Sequence, residues 1–134
     1  MQSTIVKFTV VSMAALSFVA PPLRAHHSFA AEFDALKRVN LTGVITKVDW
    51  GNPHVWFFVD VKDEATGTVT NWGAEMGSPN ALIRNGWDRN ALKIGAVVSF
   101  TGSLAKDGSH RVNASRIFVD GKRLDAASSE GTGR

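Results

Sequence analysis

The residues of this sequence best suited to chemistry are its four histidines, because the chain contains no cysteine. His26 and His27 are adjacent, His54 follows an Asn-Pro turn sequence, and His110 follows an Asp-Gly turn sequence. The absence of cysteine excludes disulfides, thiolate metal sites and cysteine nucleophiles. Histidine nitrogens are therefore the first candidates for a functional site.

The role of the first two histidines depends on how the amino terminus is processed. A short segment ending in Lys7 precedes an uncharged, mostly apolar run at residues 8–20, which is too short to span a bilayer. Pro21 and Pro22 end this run, and Ala25 offers a small residue for cleavage. This pattern predicts a cleavable signal peptide over residues 1–25 and a periplasmic protein. Cleavage after Ala20 and an uncleaved membrane anchor are the alternatives.

Cleavage after Ala25 would make His26 the first residue of the mature chain. Its α-amine and ring nitrogen could then chelate one metal ion, and His27 or His54 could supply a third nitrogen. A tetragonal, nitrogen-rich set suits Cu(II), whereas a tetrahedral set suits Zn(II). Cleavage after Arg24 would give Ala-His-His, which also suits Cu(II). We therefore expect copper, with zinc as second choice; the alternative is that these histidines are only solvated polar residues.

Charge and composition narrow the classes of function. Residues 1–25 hold Lys7 and Arg24 but no acid, so the mature chain has 13 basic and 12 acidic side chains, a net charge of +1. It has no Lys/Arg-rich block, and nucleic acid is not an expected partner. No Ser/His/Asp arrangement or Gly-rich phosphate loop is recognisable, so we expect no enzyme activity. The predicted mature chain, residues 26–134, is long enough for a single hydrophobic core.

Alternating apolar residues and turn signals predict five strands and one helix. Ser78 is a good N-cap, Pro79 fits the first helical position, and Gly86 fits the residue after the helix. Gly43 inside the first strand predicts a bulge or sharp coiling. The expected strands cover residues 41–50, 54–61, 69–76, 96–105 and 111–119, and the helix lies between the third and fourth strands.

The order β-β-β-α-β-β predicts a mostly β fold, a five-stranded OB-like barrel with one short helix. Another five-stranded barrel or a small sandwich would use the same elements. The predicted organisation is a signal peptide at 1–25, an N-terminal arm at 26–38, the OB-like domain at 39–125 and a disordered tail at 126–134.

Strand parity suggests how the candidate ligands could meet. His54, Trp56 and Phe58 alternate with a valine-rich core set, so they share the other face of the second strand. The N-terminal arm, with Phe29 and Phe33, could cover this aromatic row and bring the first histidines towards His54. Glu75 has the non-core parity of the third strand and could act as a ligand or orient a ring. The predicted metal site consists of His26, His27, His54 and Glu75.

The same aromatic face supports a different reading. OB-like barrels bind oligomers on this face by stacking on aromatic side chains. Trp56 and Phe58 could therefore bind a glycan or peptide, making the protein an adaptor or glycan/peptide-binding module. The expected partner is thus a metal ion, or an exported protein or glycan, with no stable membrane span after cleavage.

Several longer motifs point to one family. They are HHSFAAEFD at 26–34, LTGVITKVDWGNPH at 41–54, GSPNALIRNGW at 77–87 and LKIG at 92–95. With these motifs the chain resembles an uncharacterised family of small exported bacterial proteins, a domain of unknown function with a W-x-N-P-H motif. The resemblance implies a small β-barrel in the periplasm and no established activity. His26, His27 and His54 carry the family's His-His pair and Asn-Pro-His turn.

Overall fold

The computed structural model describes residues 29–131, which form a mostly β fold. Two short α-helices are present in this range, α1 (Phe29–Glu32) and α2 (Pro79–Arg84), with a 3-10 turn η1 (Ser129–Gly131) near its end. The strands are β1 (Phe33–Asp49), β2 (Trp56–Lys62), β3 (Val69–Glu75), β4 (Val97–Ala105), β5 (Arg111–Val119) and β6 (Lys122–Asp125). No helix within residues 29–131 is long and apolar enough to cross a membrane.

The six strands form one sheet in the order β3-β2-β1-β4-β5-β6, and each neighbouring pair is antiparallel. One further pairing joins β3 to β5 in parallel, through Gly73–Arg111, Ala74–Val112 and Glu75–Asn113. The sheet therefore bends until β1 to β5 form a ring, with β6 added beside the second half of β5. We call the short parallel pairing the β3–β5 seam.

The predicted mostly β fold is confirmed, but the predicted count of five strands is not. The sixth strand, β6, follows the turn at Asp120 and Gly121, where both residues have positive φ angles of 49° and 72°. Two such residues make a tight hairpin that returns the chain along β5. The turn is visible in the sequence, whereas the four-residue strand after it is too short to show an alternating pattern. Helix α1 lies in the predicted N-terminal arm (26–38), whose sequence periodicity fits either a short helix or an extended arm.

The first strand begins at Phe33, inside the segment predicted to be an N-terminal arm (26–38). Its pairing with β4 is interrupted between Asp34 and Arg38, and this irregularity hides the alternation of its first half. The second register shift lies between Ile45 and Lys47, not at Gly43. A Cβ on Gly43 would come within 2.5 Å of the Asp60 carbonyl oxygen, so glycine is required there by the close approach of β2.

The core lies inside the ring of strands. The predicted core set of the second strand is Val55, Phe57, Val59 and Val61. The first three are fully buried, and Val61 is partly buried against the core. The Phe57 ring packs edge-on against Phe100 of β4, with ring centroids 5.1 Å apart. Helix α2 begins as predicted, because the Ser78 Oγ accepts a hydrogen bond from the Ala81 amide and Pro79 occupies the first turn.

The chain after β6 returns over the end of β3. Ala126, the first residue of the predicted disordered tail (126–134), is fully buried. Its carbonyl accepts a hydrogen bond from the Gly77 amide at 2.8 Å, and its amide donates to the Ser115 carbonyl at 3.0 Å. A Cβ on Gly77 would lie 2.5 Å from the Ala127 carbonyl oxygen, so the segment fits closely. Up to residue 131 this part of the chain belongs to the fold.

Replacing Gly43 with alanine should destabilise the protein by about 1–3 kcal/mol, because the new methyl group would collide with the backbone of β2. Chemical denaturation measures the effect. The matched control is Gly51→Ala: a Cβ at Gly51 meets nothing within 4 Å, so this variant should be as stable as the parent or slightly more stable. Equal stability of the two variants would show that β1 and β2 do not approach as described.

Candidate functional site

The structure brings together two of the predicted site residues, His54 and Glu75. The β2–β3 ladder continues past the strand ends, since the Val55 amide donates to the Gly77 carbonyl at 3.0 Å and the Met76 amide donates to the Val55 carbonyl at 2.8 Å. His54 therefore lies beside the end of β3. Its Nδ1 is 3.0 Å from the Met76 carbonyl oxygen and 3.9 Å from Glu75 Oε1.

The contact with Met76 determines that Nδ1 of the His54 ring carries a hydrogen. A carbonyl oxygen only accepts hydrogen bonds, so Nδ1 must carry the hydrogen. In the neutral imidazole, Nε2 then has a free lone pair. The side chain is 33% exposed, so this second nitrogen belongs to a ring that water and solutes can reach. Metal-binding histidines commonly have this arrangement, with one nitrogen bonded to a backbone carbonyl and the other on the metal.

Glu75 is a buried carboxyl group with only 6% of its surface exposed. Burial is the main cause that raises the pKa of Glu75 above its ordinary value, and the negative charge of Glu32 raises it further. The nearby His54, the amide of Asn113 and the charge of Arg111 act in the opposite direction. The raised pKa shows that these partners only partly offset the loss of hydration.

Asn113 holds the Glu75 carboxyl group from the far side of the β3–β5 seam. The two residues are register partners, and Asn113 Nδ2 donates to Glu75 Oε1 at 3.1 Å. The same amide nitrogen donates to Ser129 Oγ at 3.1 Å, while Asn113 Oδ1 accepts from Ser128 Oγ. The C-terminal segment therefore holds the side-chain amide of Asn113 in place, and this amide binds Glu75.

This polar cluster is tied further to the rest of the fold. Arg38 of β1 pairs with Glu130 at 2.7 Å and donates to Ser115 Oγ at 2.7 Å. Among the described residues, no buried side-chain nitrogen or oxygen lacks a hydrogen-bond partner. The cluster is therefore a satisfied network, which is the condition for a stable buried polar group.

The predicted aromatic row is present, but its rings pack on the sheet. Trp56 and Phe58 are stacked with centroids 6.4 Å apart and lie over Gly73, where a Cβ would come within 3.2 Å of the Phe58 ring. Lys47 Nζ lies 5.2 Å from the Phe58 ring centroid. Both rings are half-buried. Phe29 and Phe33, which were expected to lie across this row, stack on each other at 5.8 Å.

His26 and His27 lie outside the described residues. The described part of the chain that follows them, α1, ends at Glu32, whose charge acts on Glu75. Within residues 29–131, no three His, Asp or Glu side chains are grouped to hold a metal ion. His54 and Glu75 are thus the part of the predicted ligand set that the structure describes.

Sequence reasoning missed Asn113. It is fully buried in β5 between the buried residues Val112 and Ala114, so both faces of the strand are covered at this point. The sequence gives little signal, because Asn113 lies between the apolar residues Val112 and Ala114 but close to the polar residues Arg111 and Ser115. Nothing in the sequence pairs it with Glu75.

Comparison with known proteins gives a family without a function. The model of a family described as "Family of unknown function (DUF6152)" matches residues 13–114 of the chain. No curated protein and no solved structure matches the chain.

Replacing Glu75 with glutamine should change how stability depends on pH. The folded protein binds the Glu75 proton more tightly than the unfolded chain does, because the folded-state pKa is raised above 4.5. The parent should therefore lose stability as pH rises from about 4.5 through the folded-state pKa, and Glu75→Gln should remove this loss. Urea denaturation across this pH range measures it.

The control is Glu64→Gln, because Glu64 is exposed in the β2–β3 turn. Its pH dependence should follow that of the parent. An unchanged slope in Glu75→Gln would contradict the assignment of the raised pKa to Glu75.

Proposed function

We propose that this chain, which belongs to the DUF6152 family of unknown function, is a periplasmic, non-enzymatic protein that binds a divalent metal ion, copper in the first place. The observation that carries this proposal is the hydrogen bond from His54 Nδ1 to the Met76 carbonyl oxygen. In the neutral imidazole it leaves the Nε2 lone pair free on a partly exposed ring that is held in one orientation.

The scaffold that we propose for this site is an OB-like barrel. The ring formed by β1 to β5, joined by the parallel β3–β5 seam, has the strand order 1-2-3-5-4. The helix α2 between β3 and β4 agrees with that fold. In this scaffold the site lies at the end of β3, beside the loop that leads into β2.

The remaining nitrogens would come from His26 and His27. His27 is five residues before Glu32, and five residues of chain span at most about 18 Å. Glu32 is close enough to Glu75 to raise its pKa. This reach supports a set made of His54 Nε2, His26 with its α-amine, and His27. A nitrogen-rich set favours Cu(II) over Zn(II) when it is tetragonal.

Glu75 has a different role from the nitrogens. Its Oε1 lies on the Nδ1 side of the His54 ring, away from the free lone pair, and is held by Asn113. We propose that it supplies negative charge behind the imidazole, which strengthens the binding of a cation at Nε2.

The rival function, recognition of a glycan or peptide by Trp56 and Phe58, has less support. The two rings cover Gly73 and each other, so much of their surface is already used within the fold. Packing over Gly73, which has no side chain of its own, is thus a structural reason for these two rings.

The proposal predicts that the full chain, expressed with its leader and purified from the periplasm, begins at His26 and retains copper. Intact-mass and elemental analysis test both points together.

Calorimetry of the metal-stripped protein should give one Cu(II) site with a Kd below about 10 μM. The variant His54→Ala should weaken binding at least about tenfold, because it removes the only ligand nitrogen held by the described fold.

The matched control is His110→Ala. His110 packs against Trp72, a residue on the opposite face of β3 from Glu75, with ring centroids 4.9 Å apart and the rings tilted by 53°. This variant should bind Cu(II) as the parent does. Equal affinity in His54→Ala and the parent would refute the site. If neither Cu(II) nor Zn(II) binds and Trp56→Ala abolishes capture of a glycan or peptide, the rival function is correct.

A further inference from the structure

We propose a second binding site, separate from the proposed metal site at His54, which takes a small organic carboxylate with a flat apolar body. It is a cleft of about 490 Å³ between the end of β1 and the segment 89–94 that precedes β4. This volume lies in the range that small-molecule sites occupy. We call it the β1-end cleft.

Four apolar side chains form one part of the wall of the β1-end cleft. Val48 and Trp50 are half-buried and pack against the core, and Leu92 is buried. Ile94 is 71% exposed although it lies beside these residues. A flat apolar group placed against Trp50 and Ile94 would remove this surface from water, which is favourable in proportion to the area covered.

The rim of the cleft is cationic. Arg89 and Lys93 are both exposed, and neither forms an ion pair with a carboxylate among residues 29–131. No acidic residue lines this cleft. Asp88, the neighbouring carboxylate in sequence, accepts a hydrogen bond from the Asn90 amide at 2.6 Å on its own turn. The cleft therefore combines two exposed cations, neither of which forms an ion pair among the described residues, with a partly apolar wall.

The segment that forms the rim is held in place by backbone hydrogen bonds. The Ala91 amide donates to the Asp88 carbonyl at 3.0 Å, and the Gly95 amide donates to the Ile45 carbonyl at 2.8 Å. The Ile45 amide in turn donates to the Ala96 carbonyl at 2.9 Å. A cleft whose shape is fixed before binding loses less conformational entropy when a ligand enters.

These features select one class of ligand. The guanidinium of Arg89 can bind both oxygens of a carboxylate, and Lys93 adds a point charge. The indole of Trp50 offers a flat surface for an aromatic or other planar body. A neutral compound of the same shape would lack the ionic contacts, and a small inorganic anion would lack the apolar ones.

The test uses 2-naphthoate as the probe and the purified, metal-stripped protein. NMR titration should show saturable binding with a Kd below about 1 mM, with the largest shifts at the Trp50 indole and the Ile94 methyl groups. The double variant Arg89→Ala/Lys93→Ala should raise the Kd at least about tenfold. Both residues are exposed, so this variant should keep the fold, which the unperturbed part of the same spectra reports.

Two controls make the outcome decisive. The charge-matched double variant Lys62→Ala/Arg123→Ala removes two exposed cations from outside the cleft and should leave the Kd unchanged. The neutral probe 2-naphthamide should bind at least about tenfold more weakly than 2-naphthoate. The proposal is overturned if the probe does not saturate, if its shifts centre on Trp56 instead of Trp50, if both double variants behave alike, or if the amide binds equally well. None of these results depends on whether copper binds at His54.

Discussion

The constraint on which this structure depends is the burial of one carboxyl group, Glu75, at the β3–β5 seam. A buried carboxyl group is tolerated only where its oxygens have partners, because the loss of hydration is otherwise too costly. Asn113 provides that partner across the parallel pairing, and Ser128 and Ser129 hold Asn113 in turn. Closing the ring of strands therefore also gives the carboxyl group its partner. Without the β3–β5 seam, Glu75 would have no buried amide to bind. Without the Asn113 amide, the seam would enclose an unsatisfied carboxyl group.

The same requirement explains why both ends of the described chain meet at this place. The segment around η1 contributes the serines, and Glu130 binds Arg38 at 2.7 Å. From the other end, α1 packs near η1 and brings Glu32 within electrostatic range of Glu75. Buried backbone groups also need partners, and the Ala126 carbonyl supplies one to the Gly77 amide. The C-terminal segment is thus part of the fold because it completes the hydrogen bonding of β3 and β5.

Strand parity and turn chemistry allowed much of this to be predicted from the sequence. The fully buried set at Val55, Phe57 and Val59 and the start of α2 at Pro79 follow from period-2 alternation and capping. The juxtaposition of His54 with Glu75 also follows, since both were placed on the non-core face of adjacent strands. Three features could not be predicted. The early start of β1 and the contact of Asn113 with Glu75 depend on partners that are distant in sequence. The strand β6 pairs with its neighbour β5, but its four residues are too few to show an alternating pattern. Alternation reports which face a residue occupies and says nothing about which distant strand closes the ring.

For the proposed metal site, the geometry gives Glu75 and His54 different parts. Glu75 is enclosed by Asn113 and the C-terminal segment, so a substrate has little access to its oxygens. His54 is the exposed member of the pair, and its Nδ1 proton is committed to the Met76 carbonyl. In the neutral imidazole, solutes can therefore reach one lone pair, at His54 Nε2, and the carboxyl group of Glu75 lies enclosed behind the ring. The proposed cation would bind at that lone pair, and binding at Nε2 leaves the Nδ1 hydrogen bond intact.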